Sequence, residues 1–244
     1  MDGLPVWTPL LIFVVAVFYS SVGHGGASGY LAVLSLLAIP RAEMAATALV
    51  LNILVAGTAC LNFSRSKHFR LALTWPFLLL SIPASLIGGA IDVPESIYSL
   101  LLAGALLVAA VRLSGLLNSL SREEKLRPLR LSVAVPLGGA IGLVSGIVGI
   151  GGGVFLSPVA LLARWANVKQ VAATSACFIV ANSIAGLSSR IISHNAEFGI
   201  GPVLPLAAFA GGLLGSSLGS RTLSSLALRR VLATVLVTAA IKLL

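Results

Sequence analysis

Two glycine clusters interrupt otherwise apolar stretches, and they are where this chain is equipped for chemistry. The first is Gly23-His24-Gly25-Gly26-Ala27-Ser28-Gly29; the second is Gly149-Ile150-Gly151-Gly152-Gly153. Each glycine disfavours helix by about 1 kcal/mol relative to alanine, so a dense cluster breaks one. The helix that restarts beyond the break presents unpaired N–H groups and the positive end of its dipole. With no side chains in the way, an anion can approach those groups closely. Irregular backbone at membrane depth is tolerated only where it is buried in protein or lines a cavity. The clusters therefore predict an anion site built from backbone donors, with Gly23, Gly25, Gly26, Gly149, Gly151, Gly152 and Gly153 lining it. The competing reading of glycine is close helix packing. We prefer packing for Gly88, Gly211, Gly212 and Gly215, which are sparser.

Side chains that would add to such a site are few. His24 is the histidine at membrane depth. It is suited to hydrogen-bond an oxyanion or to take up a proton; the alternative is a neutral ring satisfied by a backbone carbonyl. Ser28, Thr47, Thr174 and Ser175 are candidate hydroxyl donors, and Asn52 and Asn182 are further candidates. The alternative for these is hydrogen bonding between helices. No Asp or Glu falls in the middle of an apolar run, which argues against a cation substrate. Cys60 and Cys177 each lie inside an apolar run and read as small core residues. No Cys/His spacing suggests a metal, and no Walker sequence is present, so neither metal nor cofactor is expected. Gly26-Ala27-Ser28-Gly29 matches the short motif of rhomboid proteases. That chemistry needs a histidine base on another membrane helix, and His68 and His194 fall in loops. No enzymatic activity is expected.

The elements that must position these residues follow from composition. Of the 244 residues 58% are hydrophobic and 9% charged, against about 25% charged in soluble domains. So few charges cannot cover a water-facing surface. Apolar runs recur at 6–22, 28–39, 44–63, 71–91, 97–113, 131–148, 153–163, 170–189, 201–218 and 228–244. They predict an all-α polytopic membrane protein whose partner is the lipid bilayer. The first run lacks a basic segment and a small-residue cleavage site, and is expected to stay as a span. The net charge of +9 does not signal nucleic acid, because the cations sit in short gaps between runs without interleaved aromatics.

Two runs, 28–39 and 153–163, are too short to cross a bilayer alone, and each follows a glycine cluster. Val22-Gly23-His24-Gly25-Gly26 aligns with Val148-Gly149-Ile150-Gly151-Gly152 at an offset of 126. Ala46-Thr47 aligns with Ala173-Thr174, and Gly88 with Gly215, at an offset of 127. These landmarks predict a duplication: a first transmembrane repeat at 1–119, a polar cytoplasmic linker at 120–130 and a second repeat at 131–244. If each short run folds back on the run before it, the halves are inverted. All Lys and Arg except Arg41, Arg190 and Lys242 then fall on one side. The positive-inside rule favours that arrangement over parallel halves. Each half is then a glycine-broken, re-entrant-like hairpin followed by three further helices.

Gly149-Ile150-Gly151-Gly152-Gly153-Val154-Phe155-Leu156-Ser157-Pro158 resembles the glycine-rich signature of the TauE/SafE sulfite exporter family. Gly23 to Gly29 and Ala172-Ala173-Thr174-Ser175 look like the same pattern, and the resemblance spans essentially the whole chain. His24 stands where the second half has Ile150, Ala27 where it has Gly153, and Ala32 aligns with Pro158. The resemblance implies a multi-pass transporter of the bacterial inner membrane. Its substrate would be sulfite, an organosulfonate or a related small sulfur-containing anion, and its direction export. A carrier for another small anion, such as a carboxylate, and a non-transporting membrane scaffold are the competing readings. Association into a homo-oligomer is compatible with the sequence.

Overall fold

A computed structural model describes residues 4–114, 126–193, 196, 201–221, 237, 240 and 241. Among them are nine helices and no strands: α1 (Thr8–Ser21), α2 (Ala27–Leu36), α3 (Arg41–Arg65), α4 (Leu71–Ala90), α5 (Glu95–Ser114), α6 (Leu131–Val148), α7 (Gly153–Leu162), α8 (Val168–Ile192) and α9 (Val203–Arg221). Five of these, α3, α4, α6, α8 and α9, are long and apolar enough to cross a membrane. The chain is an all-α polytopic membrane protein. The expected linker residues 120–125, His194 and most of the run at 228–244 lie outside the described residues.

The apolar runs underestimate the two longest helices. α3 and α8 each have 25 residues and extend past their runs into polar turns. At the start of α8, Asn167 and Gln170 form a reciprocal capping box, which ends the helix without apolar side chains. At its far end α8 carries Arg190, expected at a run's edge, into the protein, where it is 3% exposed.

Small residues set how the helices pair. Gly138, Gly142 and Gly146 of α6 face the backbone of Phe77, Ser81 and Ser85 of α4. Gly211, Gly215 and Gly219 of α9 face Phe13, Val17 and Ser21 of α1 in the same four-residue step. At each contact a Cβ would collide with main chain, so the helices approach as closely as backbones allow. Gly88 lies against Leu143, and Gly212 against Val55 and Thr58 of α3, so the sparse glycines are packing residues.

The residue registers also give directions. Positions rise together in α4/α6 and in α1/α9, so those pairs are parallel. Thr74–Thr174, Ser81–Asn182 and Leu86–Ser189 make α4 parallel to α8. Thr58–Gly212 and Asn62–Ser216 make α3 parallel to α9. Asn52–Ser183 and Cys60–Cys177 run oppositely, so α3 and α8 are antiparallel. Hence α1, α3 and α9 point one way and α4, α6 and α8 the other. Outward faces of α4 and α9 are leucine- and isoleucine-rich, including Leu79, Ile87, Leu206 and Leu214, as a lipid-facing surface requires.

Cys60 and Cys177 are not separate core residues. They form a disulfide between α3 and α8, with Cα atoms 5.2 Å apart. Each cysteine lies alone in its own apolar run, 117 residues from the other, and only the crossing of α3 and α8 brings them together.

Basic segments gather at one end. The Arg127 amide donates to the Arg164 carbonyl at 2.8 Å, and Lys169 donates to the Ser220 carbonyl at the end of α9. His68, in the α3–α4 loop, is held below the ordinary histidine value by partial desolvation and by Lys169. At the opposite end Arg41 pairs with Asp92 at 3.3 Å and donates to the Val93 carbonyl.

Candidate functional site

Both glycine clusters are breaks. α1 ends at Ser21 and α2 begins at Ala27; α6 ends at Val148 and α7 begins at Gly153. Gly23, Gly26, Gly149, Gly151 and Gly152 have φ between 76° and 97°, a left-handed backbone that only glycine adopts at little cost. Each break leans on a long helix of the other half of the chain: Gly23 on Ala172 of α8, and Gly149 on Ala45 of α3. Ala45 and Ala172 are themselves 127 positions apart.

Asn52 of α3 ties the breaks together. Its Oδ1 accepts the Ala27 amide at 3.0 Å, at the first turn of α2. Its Nδ2 donates to the Ile150 carbonyl at 2.9 Å, inside the other break, and to Ser183 of α8. Gly25 and Gly151 both abut Asn52 and Ile179, so the two breaks meet across this pair. The remaining amides are bare. Among the described residues no hydrogen bond takes up the amides of Gly25, Gly26, Ser28 and Gly29 at the first break, or of Gly151, Gly152, Gly153 and Val154 at the second. Leaving a buried donor unpaired costs about 1–3 kcal/mol.

A small cavity, with room for about one water molecule, opens at the first break. Tyr19, His24, Gly25, Gly26, Ala27 and Ser28 line one side; Ile150, Val154 and Ile179 line the other. Ser28 donates to the Tyr19 hydroxyl at 2.9 Å, which leaves the Tyr19 proton for another acceptor. The Tyr30 hydroxyl is fully buried, has no hydrogen-bond partner among the described residues and stands over Gly26. The side chain of this tyrosine would collide with a Cβ at that position.

His24 is engaged at both ring nitrogens. Nδ1 lies 3.1 Å from the Val22 carbonyl, which only accepts, so Nδ1 carries the proton of a neutral ring. Nε2 then accepts from Ser157 of α7 at 3.1 Å, and Ser157 accepts from Ser175 of α8 at 2.8 Å. His24 thus joins the first break to α7 and α8 and borders the cavity without offering it a spare N–H.

The other sequence candidates are distributed unevenly. Ser175 reaches the site through Ser157, a residue of the glycine-rich signature that was not itself a site candidate. Thr174 is turned to Thr74 of α4, 3.1 Å away, and Asn182 donates to Ser81 and to the Phe178 carbonyl. Thr47 is buried on α3 and does not line the cavity. Tyr19, Tyr30 and Ser157 were not among the sequence candidates. Aromatic and serine residues inside apolar runs look like ordinary packing until the break turns them inward.

No buried Asp or Glu occurs among the described residues. The site therefore offers amide and phenol donors and helix N-termini, and no carboxylate. Such a set is chemically suited to an oxygen-rich anion.

Comparison with known proteins agrees with this architecture. The sulfite exporter TauE/SafE family profile matches residues 9–243. The probable membrane transporter protein y4hK of Sinorhizobium fredii is 36% identical over 249 residues, covering 100% of both chains. No solved structure matches. With the family profile spanning nearly the whole sequence and a full-length relative described as a membrane transporter, the chain belongs to the sulfite exporter TauE/SafE family.

Proposed function

We propose that this membrane transporter exports a small sulfur oxyanion, sulfite or an organosulfonate, across the bacterial inner membrane. The observation that carries the reading is the first break: bare amides at Gly25, Gly26 and Ser28 around one cavity, with the buried Tyr30 hydroxyl over Gly26 next to it. When the break opens beyond its present water-sized cavity, the anion accepts from these amides and from the Tyr19 and Tyr30 hydroxyls. Ile150, Val154 and Ile179 form the apolar wall that suits a sulfonate's carbon substituent. His24 and Asn52 position the break.

The halves, 1–119 and 131–244 about a cytoplasmic linker at 120–130, act as inverted repeats. The opposite directions of α1 and α6, and of α3 and α8, support this. So does the clustering of Arg127, Arg164 and Lys169 at one end, which the positive-inside rule makes cytoplasmic. Rocking of one half against the other then exposes the breaks to alternate sides. An inside-negative potential favours outward anion movement by about 2.3 kcal/mol per charge per 100 mV.

Counterflow in proteoliposomes tests the substrate. Labelled sulfite should exchange with unlabelled sulfite and sulfonates and not with acetate. Exchange of carboxylates with indifference to sulfite would replace the sulfur reading. No exchange of any anion would favour a scaffold.

A further inference from the structure

Arg190 is a buried cation that the repeated architecture does not require. The guanidinium is 3% exposed, and Nη2 donates to the Gly146 carbonyl at 2.9 Å and to the Ile147 carbonyl. Nε has no partner. Among the described residues no carboxylate lies within ion-pair distance of it; Asp92 and Glu95 are exposed and face Arg41 instead. At the equivalent place in the first half, 127 residues earlier, stands Phe63, packed in an apolar cluster with Ala59 and Ala176.

Capping alone does not account for an arginine here. The last carbonyls of α6 need donors because the helix end is buried, and Tyr98 serves Val148 in the same way at 3.4 Å. A neutral amide side chain would supply two N–H groups. What it would not supply is charge, and charge is what burial penalises most unless an opposite charge offsets it. The dipole at the C-terminus of α6 offsets part of it. Among the described residues only Asp92 opposes the rest, from beyond ion-pair distance and while paired to Arg41. Arg190 grips Ile147, three residues before Ile150 in the cavity wall, which ties its charge to the segment leading into that wall.

We propose that Arg190 is the fixed positive charge against which the transported anion is held, and so the residue that makes the site select anions over neutral analogues. This rests on the anion reading above and deepens it. The neutral donors at the break recognise oxygen atoms; Arg190 recognises net charge from outside the contact shell.

Anion-dependent thermal stabilisation of the purified protein, titrated with sulfite, methanesulfonate, acetate and chloride, tests it. In Arg190→Gln the half-stabilising concentration of the preferred anion should rise about tenfold or more, while Arg190→Lys stays within about threefold of the parent. Equal response of Arg190→Gln and the parent overturns the proposal. So does Arg190→Lys failing as badly as Arg190→Gln, which would make geometry and not charge the cause. If Arg190→Gln does not fold, Arg190→His titrated with methanesulfonate above and below the imidazole range replaces it. Tighter binding at the lower pH supports the proposal and unchanged binding overturns it. An Arg190-dependent response to acetate alone would sink the sulfur substrate and leave this inference standing. No response of the parent to any anion would sink both.

Discussion

Around the first break stand Tyr19, His24, Ser28 and Tyr30; at the equivalent places around the second stand Ser145, Ile150, Val154 and Leu156. The hydrogen-bonded series His24–Ser157–Ser175 has as its counterpart Ile150, Leu31 and Ala48, three members of one apolar core cluster. Asn52, which bridges the breaks, corresponds to Ile179, which packs between them. The backbone path recurs, down to left-handed glycines and the alanines they rest on, while the side chains have diverged. Backbone geometry alone makes bare amides twice. At the first break, where polar side chains surround them, a cavity with donors results, and Ile150 and Val154 of the other break form part of its wall.

The comparison is broken most severely at the glycines themselves. Gly25→Leu and Gly151→Leu place side chains where Asn52 and Ile179 now stand. Each should reduce transport to background, more than about 100-fold, because the site depends on unobstructed backbone donors at both breaks. Membrane insertion, read by protease protection, should persist. Full activity in both variants would remove the anion site.

The polar series gives a subtler test. His24→Ile leaves the Ser157 hydroxyl without its acceptor, and should cost about tenfold in transport rate. Adding Ser157→Leu and Ser175→Ala, which copies the apolar series of Ile150, Leu31 and Ala48, should recover part of that loss. No recovery would show that the ring does more than hold the break in place. The smallest effects separate the breaks by a single hydroxyl. Tyr30→Phe should raise the half-saturating anion concentration about tenfold, whereas Ser145→Ala should change it less than about twofold, although both hydroxyls are buried and unpartnered. Equal losses would make the second break a partner in binding and not a wall.

Much of this was readable before any coordinates. Glycine density located both breaks to within a few residues, because helix propensity is a local property. Run length identified the two short helices for the same reason. His24 was legible as the polar residue out of place. Tyr19, Tyr30 and Ser157 were not, because their meaning comes from what the breaks bring them against: the cavity for Tyr19, Gly26 for Tyr30 and His24 for Ser157. Thr174 illustrates the converse: its spacing matched Thr47, yet it points to α4. Arg190 and the Cys60–Cys177 link depend on tertiary crossings. A span's edge in the sequence became the buried cap of α6, and two isolated cysteines became neighbours.

The most direct measurement is the position of a bound anion. Selenite, the heavier analogue of sulfite, soaked into crystals of the protein gives an anomalous signal that needs no assumption about the rest of the density. The account predicts a peak at the first break, within hydrogen-bond distance of the Gly25 and Gly26 amides and the Tyr30 hydroxyl, with Ile150 and Ile179 behind it. A bound selenite seated at the second break alone, or away from both, would contradict it.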